Sequence, residues 1–462
     1  MKKKIVVYGA GNNYIFASYE IHQCYEVIGV ADGDVKKIGK RVLGEEIRDI
    51  RNFNDYDFDY IVLTPANISG IIESLVSNGF CREKIIDLQD AFDIISDEEW
   101  IEKKKLQFLS EQSSDSIAII IYGGIGDLLV AKMWIDKLIR KYELNKSKVD
   151  LYFSESNMVD AALIFREYND FVSILSIDDF SKKVLFNNYT FILRFCIIPE
   201  ILAVSEDGLS CLNEGLRDYF FRLKELCQKN YNRGFYTARD YHKTLQKFFI
   251  QKERTLYHTA YDVLGDLGAS DSDKTKICIE RHNEEEFINS IGLDAKTYIT
   301  LNTGLNNEYM NKSNTREWSF GKWEELAKYI KSEYPEIKIV QVGLKVSEKD
   351  DIPADVHLNG KTNLEQIATV LKHALIHIDY DGGLIHVNHM VGGKSIVLMG
   401  PTSSENHEYP ENIYINSSAC ESCEWTTADW LSVCPKGEIN PRCMDKITID
   451  MVMTEIEKIV KE

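Results

Sequence analysis

Proline is scarce in this chain, and long apolar runs are missing. Eight prolines and 27 glycines in 462 residues are too few for fibrous or extended low-complexity structure. No uninterrupted apolar stretch reaches the roughly 18 residues that a membrane-spanning helix needs. Positive charge is also short. Lys and Arg number 54 against 73 Asp and Glu, a net charge of −19, whereas binding to a nucleic-acid backbone calls for a basic stripe. Nucleic acid is therefore not the expected partner. A small anion stays open, since main-chain N–H groups and one or two cations hold a diphosphate inside an acidic protein. The opening MKKKIVVYGAG has the lysines and short apolar run of a leader peptide. However, Gly9-Ala10-Gly11 breaks the run, and no apolar core or small-residue cleavage site follows, so it reads as the first strand of a cytoplasmic protein.

The remaining composition, 44% hydrophobic and 27% charged, is that of a globular chain long enough for about three domains. Three series of short β-branched runs alternate with helix-length segments. The first contains KIVVYGAG, EVIGVAD, YIVLTPA and KIIDL; the charged stretch 97–115 after it reads as a helix and linker. The second contains SIAIII, KVDLYFSE, FVSILSI and FILRFC, with a helical, aromatic-rich region over 200–270. The third contains TYITLNTG, KIVQVG, LIHIDYDGG, KSIVLMGPT and NIYINSS. Such alternation predicts parallel sheets covered on both faces. In GKWEELAKYIKSEYP, Trp323, Leu326, Ala327 and Ile330 share a helix face that Pro335 ends, and Thr362 with Glu365 forms a capping box for the next helix. The expected boundaries are 1–110, 111–290 and 291–462.

Ligands of such sheets sit beyond the carboxyl ends of the strands, and five candidate sites lie there or beside it. Gly9, Gly11 and Asp32 occupy the positions of a dinucleotide fingerprint, although Tyr14 stands where a third glycine is usual. Gly123-Gly124-Ile125-Gly126-Asp127 puts a carboxylate at a helix start, where it serves either as a cap or as a catalytic base. Asp381, Gly382, Gly383, Leu384 and His386 follow a strand and form an anion nest at a helix entrance; His389 is expected to face the core rather than a metal. Thr303 and Gly304, followed by Arg316, offer a strand-end turn and a cation for a diphosphate facing that nest. Finally, Cys420, Cys423, Cys434 and Cys443 have the spacing of a four-sulfur metal knuckle. Zinc and iron both suit it, and its filled shell implies a structural role beside the cleft. The other six cysteines, Cys24, Cys81, Cys196, Cys211, Cys227 and Cys278, read as buried thiols.

The ordered motifs GGIGD at 123–127, R-x-W at 316–318, NGKTNLEQIA at 359–368, DGGLIH at 381–386 and GPT at 400–402 resemble glycosyltransferase family 9, the lipopolysaccharide heptosyltransferases, over about residues 115–462. The resemblance implies a GT-B fold, two facing Rossmann-like domains, here preceded by a third Rossmann-like module of the kind attached to polysaccharide-synthesis enzymes. It implies inverting transfer from a nucleotide sugar, an ADP-sugar such as ADP-heptose being favoured, to a glycan, lipid-linked or protein acceptor of cell-surface polysaccharide chemistry. Asp127 matches the family's base, and Arg316 stands where a lysine meets the diphosphate. The residues from Asp381 to His386 match the donor loop, and Thr402 lies near the phosphates. Some members are similar in carrying a C-terminal cysteine set that binds iron. No catalytic metal is expected. Peripheral membrane association and oligomerisation stay open. Departures fall at Ser319, at Gly382 and in the Asn-rich loop 305–315. Two other classes stay in view: a non-catalytic, metal-stabilised nucleotide-sugar scaffold, and an NAD(P)-dependent sugar-modifying enzyme acting through the N-terminal module.

Overall fold

The computed structural model describes residues 2–65, 68, 70–95, 115–177, 189–196, 198–230, 264, 266–267, 277, 284–304, 314–404, 409–420, 422–424, 426–427, 430–438 and 441–461. The stretch read as helix and linker over 97–115 lies outside them apart from Asp115. So do 231–263 of the aromatic-rich region and 305–313 of the Asn-rich loop. Three sheets account for the described strands.

The first sheet is built from β1 (Lys3–Tyr8), β2 (Tyr25–Ala31), β3 (Arg41–Val42), β4 (Glu45–Arg48), β5 (Tyr60–Leu63) and β6 (Ile85–Asp87), in the order β3-β4-β2-β1-β5-β6. Its pairings are parallel except β3 with β4. That small antiparallel pair is not legible in the sequence, because two- and four-residue strands carry no usable period. Alternation along β1 sends Ile5 and Val7 into one apolar cluster and Val6 and Tyr8 into another. Helix α1 (Asn12–Cys24) covers the first of these faces.

The second sheet runs β11-β10-β7-β8-β9, from β7 (Ser116–Ile121), β8 (Lys148–Phe153), β9 (Val172–Ser176), β10 (Phe191–Cys196) and β11 (Ile198–Val204). The expected all-parallel sheet is corrected at its edge, where β11 pairs antiparallel with β10. The two strands are separated by a single residue, too short for the crossover that a parallel pair requires. Helix α2 (Ile125–Tyr142) buries Leu128, Leu129, Ala131, Trp134, Ile135 and Leu138 against this sheet, and Arg140 and Lys141 in its last turn match the helix dipole.

The third sheet, β14-β13-β12-β15-β16-β17, is wholly parallel: β12 (Tyr298–Asn302), β13 (Lys338–Val342), β14 (Val356–His357), β15 (Ile376–Tyr380), β16 (Ser395–Met399) and β17 (Ile413–Asn416). Every residue of β12 is buried, as a central strand covered on both faces must be. In α3 (Phe320–Glu333), Trp323, Leu326, Ala327 and Ile330 are buried as their spacing predicts, and the helix stops short of Pro335. The cap of α4 (Leu364–His373) falls one residue later than expected. Asn363 accepts from Gln366 N–H at 2.9 Å, and Gln366 accepts from Asn363 N–H at 3.0 Å. Glu365 is thereby released to approach Arg166 of the second unit at 3.8 Å. Helix α5 (Gly383–Met390) leaves β15 and packs on α2, which brings the second and third units into contact.

Candidate functional site

Strand order locates the crevices. In the third sheet β12 lies between β13 and β15, so the chain leaves in opposite directions after β12 and β15. Loops at such a reversal splay apart and leave room for a ligand. Thr303-Gly304 follows β12 and Asp381-Gly382-Gly383 follows β15. The second sheet reverses at β7, whose exit is the turn 122–127. These two reversals face one another.

Contact across the cleft is close because both turns are glycine. A Cβ on Gly126 would lie 2.7 Å from His386 Cδ2, and one on Gly383 would overlap Ile125 Cγ2. The starts of α2 and α5 thus meet, and each presents unpaired helix N–H groups to the same space. Asp127 Oδ2 accepts the Gly124 N–H at 2.8 Å, so the capping role is real. Capping is not its whole environment. Burial pushes its carboxyl up to about 6, with Arg316 pulling it down and Asp381 pushing it up. Three predicted residues from two units therefore act on one another electrostatically.

Arg316 Nη1 lies 3.6 Å from Asp381 Oδ2, a long pair, while its buried Nε has no hydrogen-bond partner among the described residues. Thr402 Oγ1 is likewise buried without one. A guanidinium Nε–H and a hydroxyl without partners among the described residues suit the oxygens of a diphosphate. Thr303 accepts from Gln341 Nε2 at 3.0 Å, a structural engagement. Behind it, Asn302 Nδ2 reaches both carboxylate oxygens of the fully buried Asp379, at 3.0 and 2.9 Å. Leu384 is half-buried in the first turn of α5.

Sequence reasoning missed two residues of this cleft. Glu317, half-buried, accepts from Asn314 Nδ2 at 2.9 Å, and a Cβ on Gly304 would lie 3.1 Å from its Oε1. Burial pushes its carboxyl up to about 7. The buried Tyr409 bonds His386 Nδ1 through its hydroxyl at 2.8 Å and so fixes which ring nitrogen is turned to the cleft. His389, expected in the core, stacks on the Tyr409 ring at 3.7 Å and pairs with Glu411. Tyr409 belongs to no local motif, so only the fold could reveal it.

The cysteine segment anchors two of these loops. Cys423 N–H and Glu424 N–H both donate to Pro401 O, at 3.0 and 3.1 Å, and Ser422 Oγ donates to it at 2.8 Å. Thr315, next to Arg316, donates its hydroxyl to Trp430 O at 2.7 Å and its N–H to Leu431 O at 3.0 Å. Cys420, Cys423, Cys434 and Cys443 are free thiols. Burial, and then the neighbouring Cys443, Cys434 and Cys420, push the Cys423 thiol up to about 11. The four are neighbours, yet among the described residues no three His, Cys, Asp or Glu side chains are arranged to hold one ion. Of the scattered cysteines, Cys24 is buried, whereas Cys81 and Cys211 are exposed, against expectation. Apolar neighbours in sequence do not bury a residue on the outer side of a turn. The side chains of Cys196 and Cys227, and the whole of Cys278, lie outside the described residues.

At the N-terminal turn, Asp32 accepts from Ala10 N–H at 2.8 Å, from Asp34 N–H at 2.9 Å and from Lys37 Nζ at 2.9 Å. Burial alone would raise its pKa, but these donors hold it below the usual carboxylate range. The carboxylate expected at a ribose is thus engaged in bracing the turn between Gly9 and Gly11. No helix among the described residues is long and apolar enough to cross a membrane.

Residues 235–426 match the model of Glycosyltransferase family 9 (heptosyltransferase). That segment is similar to the family 9 glycosyltransferases. Residues 1–86 match a second model, described as C2185-like, N-terminal. No curated protein matches the chain. Among solved structures, it is similar to ADP-heptose lipopolysaccharide heptosyltransferase II of E. coli, with 14% identity over 74% of this chain and 98% of that one (TM-score 0.43). A family 9 glycosyl transferase from Veillonella parvula shares 16% identity over 76% and 98% (TM-score 0.48). The iron-containing dodecameric glycosyltransferase TibC of enterotoxigenic E. coli shares 15% over 76% and 78% (TM-score 0.49).

Proposed function

We propose that this chain is a glycosyltransferase with the GT-B arrangement over 111–290 and 291–462, and that it transfers a sugar from a nucleotide-sugar donor to an acceptor hydroxyl with inversion. The observation that carries the reading is the meeting of Asp127 from one unit with Arg316 and Asp381 from the other. The acceptor hydroxyl must lose its proton as it attacks the anomeric carbon. A carboxylate raised to about 6 is ionised at neutral pH yet basic enough to take that proton. Charge develops on the departing diphosphate, where Arg316, Thr402, His386 and the first N–H groups of α5 would receive it. The bond from the anomeric carbon to the diphosphate breaks as the new glycosidic bond forms on the opposite face, which is an inverting displacement. No step requires a metal.

The heptosyltransferase description of the matching family model makes an ADP-heptose the first donor to test. We also propose that Cys420, Cys423, Cys434 and Cys443 hold zinc or iron in a structural role. The support is their all-sulfur donor set and mutual proximity; the present side-chain arrangement would have to close around the ion.

The test is calorimetric titration with ADP, UDP, GDP and CDP, beside a D381A/H386A variant. Micromolar binding of one nucleotide that the variant loses supports the donor site and identifies the base. Equal binding by the variant removes it. Nucleotide binding without sugar release from the matching donor would favour the scaffold reading instead.

A further inference from the structure

The N-terminal unit is joined to the second unit by a buried ion pair. Arg194 of β10 places Nη2 3.1 Å from Glu20 Oε1 and Nη1 3.4 Å from Glu20 Oε2, and Glu20 lies on α1. The two side chains are only 2% and 1% exposed. A second link runs beside it. Tyr122, the first residue after β7, donates its hydroxyl to the main-chain oxygen of Ile15, also on α1, at 3.1 Å. The Tyr122 N–H donates to Phe195 O at 3.0 Å, next in sequence to Arg194. On the far side of the turn, Asn157 Nδ2 donates to Gly123 O at 2.9 Å. Apolar packing is continuous across the boundary, for Tyr14, Ile15 and Ile21 share one cluster with Ile117, Ile119 and Phe195.

A tethered binding module would meet its neighbour through a small polar interface and move against it. This contact is different in kind. A fully buried, bidentate carboxylate–guanidinium pair adds little stability over an apolar pair of the same size, but it is satisfied in only one relative placement. That placement fixes α1 against β10, and α1 in turn fixes Tyr122 at the mouth of the turn that ends in Asp127.

We propose that the N-terminal unit is a positioning element of the catalytic turn: through Glu20–Arg194 and Ile15–Tyr122, α1 sets the course of the main chain from Tyr122 to Asp127. The role of this unit is then to hold the base rather than to bind a second nucleotide. The proposal rests on Asp127 being the base, so its test separates the two ideas.

The variants are Tyr122→Phe, which removes one hydroxyl and nothing else, and the double change E20L/R194M, which leaves no unpaired charge in the interface. Each is compared in the full chain with wild type and with D127N. Amide hydrogen exchange over 121–128 is expected to quicken about fivefold in Tyr122→Phe, the weight of one net hydrogen bond. Exchange over 298–304 in the third unit should be unchanged. With ADP-heptose as donor, kcat should fall by a similar factor while KM and the affinity for ADP stay within twofold. A merely structural contact would lower the melting temperature of both variants and leave exchange at 121–128 and kcat per folded molecule untouched; that result overturns the proposal. If D127N turns over like wild type, the base assignment fails, and hydrogen exchange, which needs no turnover, still decides whether α1 holds the turn.

Discussion

Replacing Asp127 by Asn should stabilise the protein and disable it, and both effects should follow pH. The half-buried carboxyl is held at about 6 against an ordinary 3.8, a difference of about 3 kcal/mol between its two protonation states. Below pH 3.8 the folded and unfolded chains both carry the proton, so the residue makes no pH-dependent contribution. Between 3.8 and about 6 the unfolded chain gives up its proton first, and stability falls as pH rises. Above that range the full destabilisation of about 3 kcal/mol is present. The carboxamide of D127N cannot ionise, yet its oxygen can still accept the Gly124 N–H, so the cap is kept. Melting curves of the two proteins should nearly coincide at pH 4 and separate towards pH 8, with the variant the more stable. Activity moves the other way. In wild type, kcat/KM should rise with pH through about 6, as the free-enzyme base loses its proton. The variant should lose about 10²- to 10⁴-fold, the usual weight of a positioned base. A variant that melts below wild type at pH 8, or a rate profile with its rise near pH 4, would refute the account of why this carboxyl is raised.

Three further outcomes follow from the same geometry. Arg316→Met removes a charge-assisted donor and should weaken ADP binding about tenfold or more by calorimetry. It also removes the cation that lowers Asp127, so the rise in the rate profile should shift to higher pH. Tyr409→Phe leaves the His386 ring without its 2.8 Å partner and should lower kcat/KM about fivefold, with little change in melting temperature. C420S/C423S should reduce protein-bound zinc and iron, measured by elemental analysis, to background. It should also weaken ADP binding, because the segment that anchors Pro401 and Thr315 loosens; unchanged metal content and affinity would remove the structural-metal reading.

Much of this was legible before folding because parallel sheets write themselves plainly in sequence. Strands such as SIAIII and YITLN are buried along almost their whole length and are mostly apolar, each followed by the glycine turn that a crevice needs. From those turns, Asp127, Asp381 and His386 could be named one at a time. What could not be read was pairing between units. Glu20 and Arg194 are 174 residues apart, and neither lies in a motif. Tyr409 follows a segment with no period at all. The shifted cap at Asn363 has a simpler cause: Thr362 and Asn363 are both good caps, each with Glu or Gln three residues on, and local chemistry alone does not separate them. With Asn363 as the cap, Glu365 lies within 3.8 Å of Arg166.

On the proposed function, the position of Asp381 would let a protein of net charge −19 receive a diphosphate. Its carboxylate stands 3.6 Å from Arg316, close enough to hold the guanidinium near the mouth of α5 but too far for a good hydrogen bond. An arriving diphosphate offers the same cation shorter bonds and meets the N–H groups at the start of α5 as well. The exchange need not leave Asp381 uncompensated if it turns to the hydroxyls of the donor, which are donors themselves. The same exchange would leave less of Arg316 to lower Asp127, and a developing negative charge nearby would raise it further. The base should then become a stronger proton acceptor when the donor is in place. On this argument, the pH at which kcat rises should lie above the pH at which kcat/KM rises.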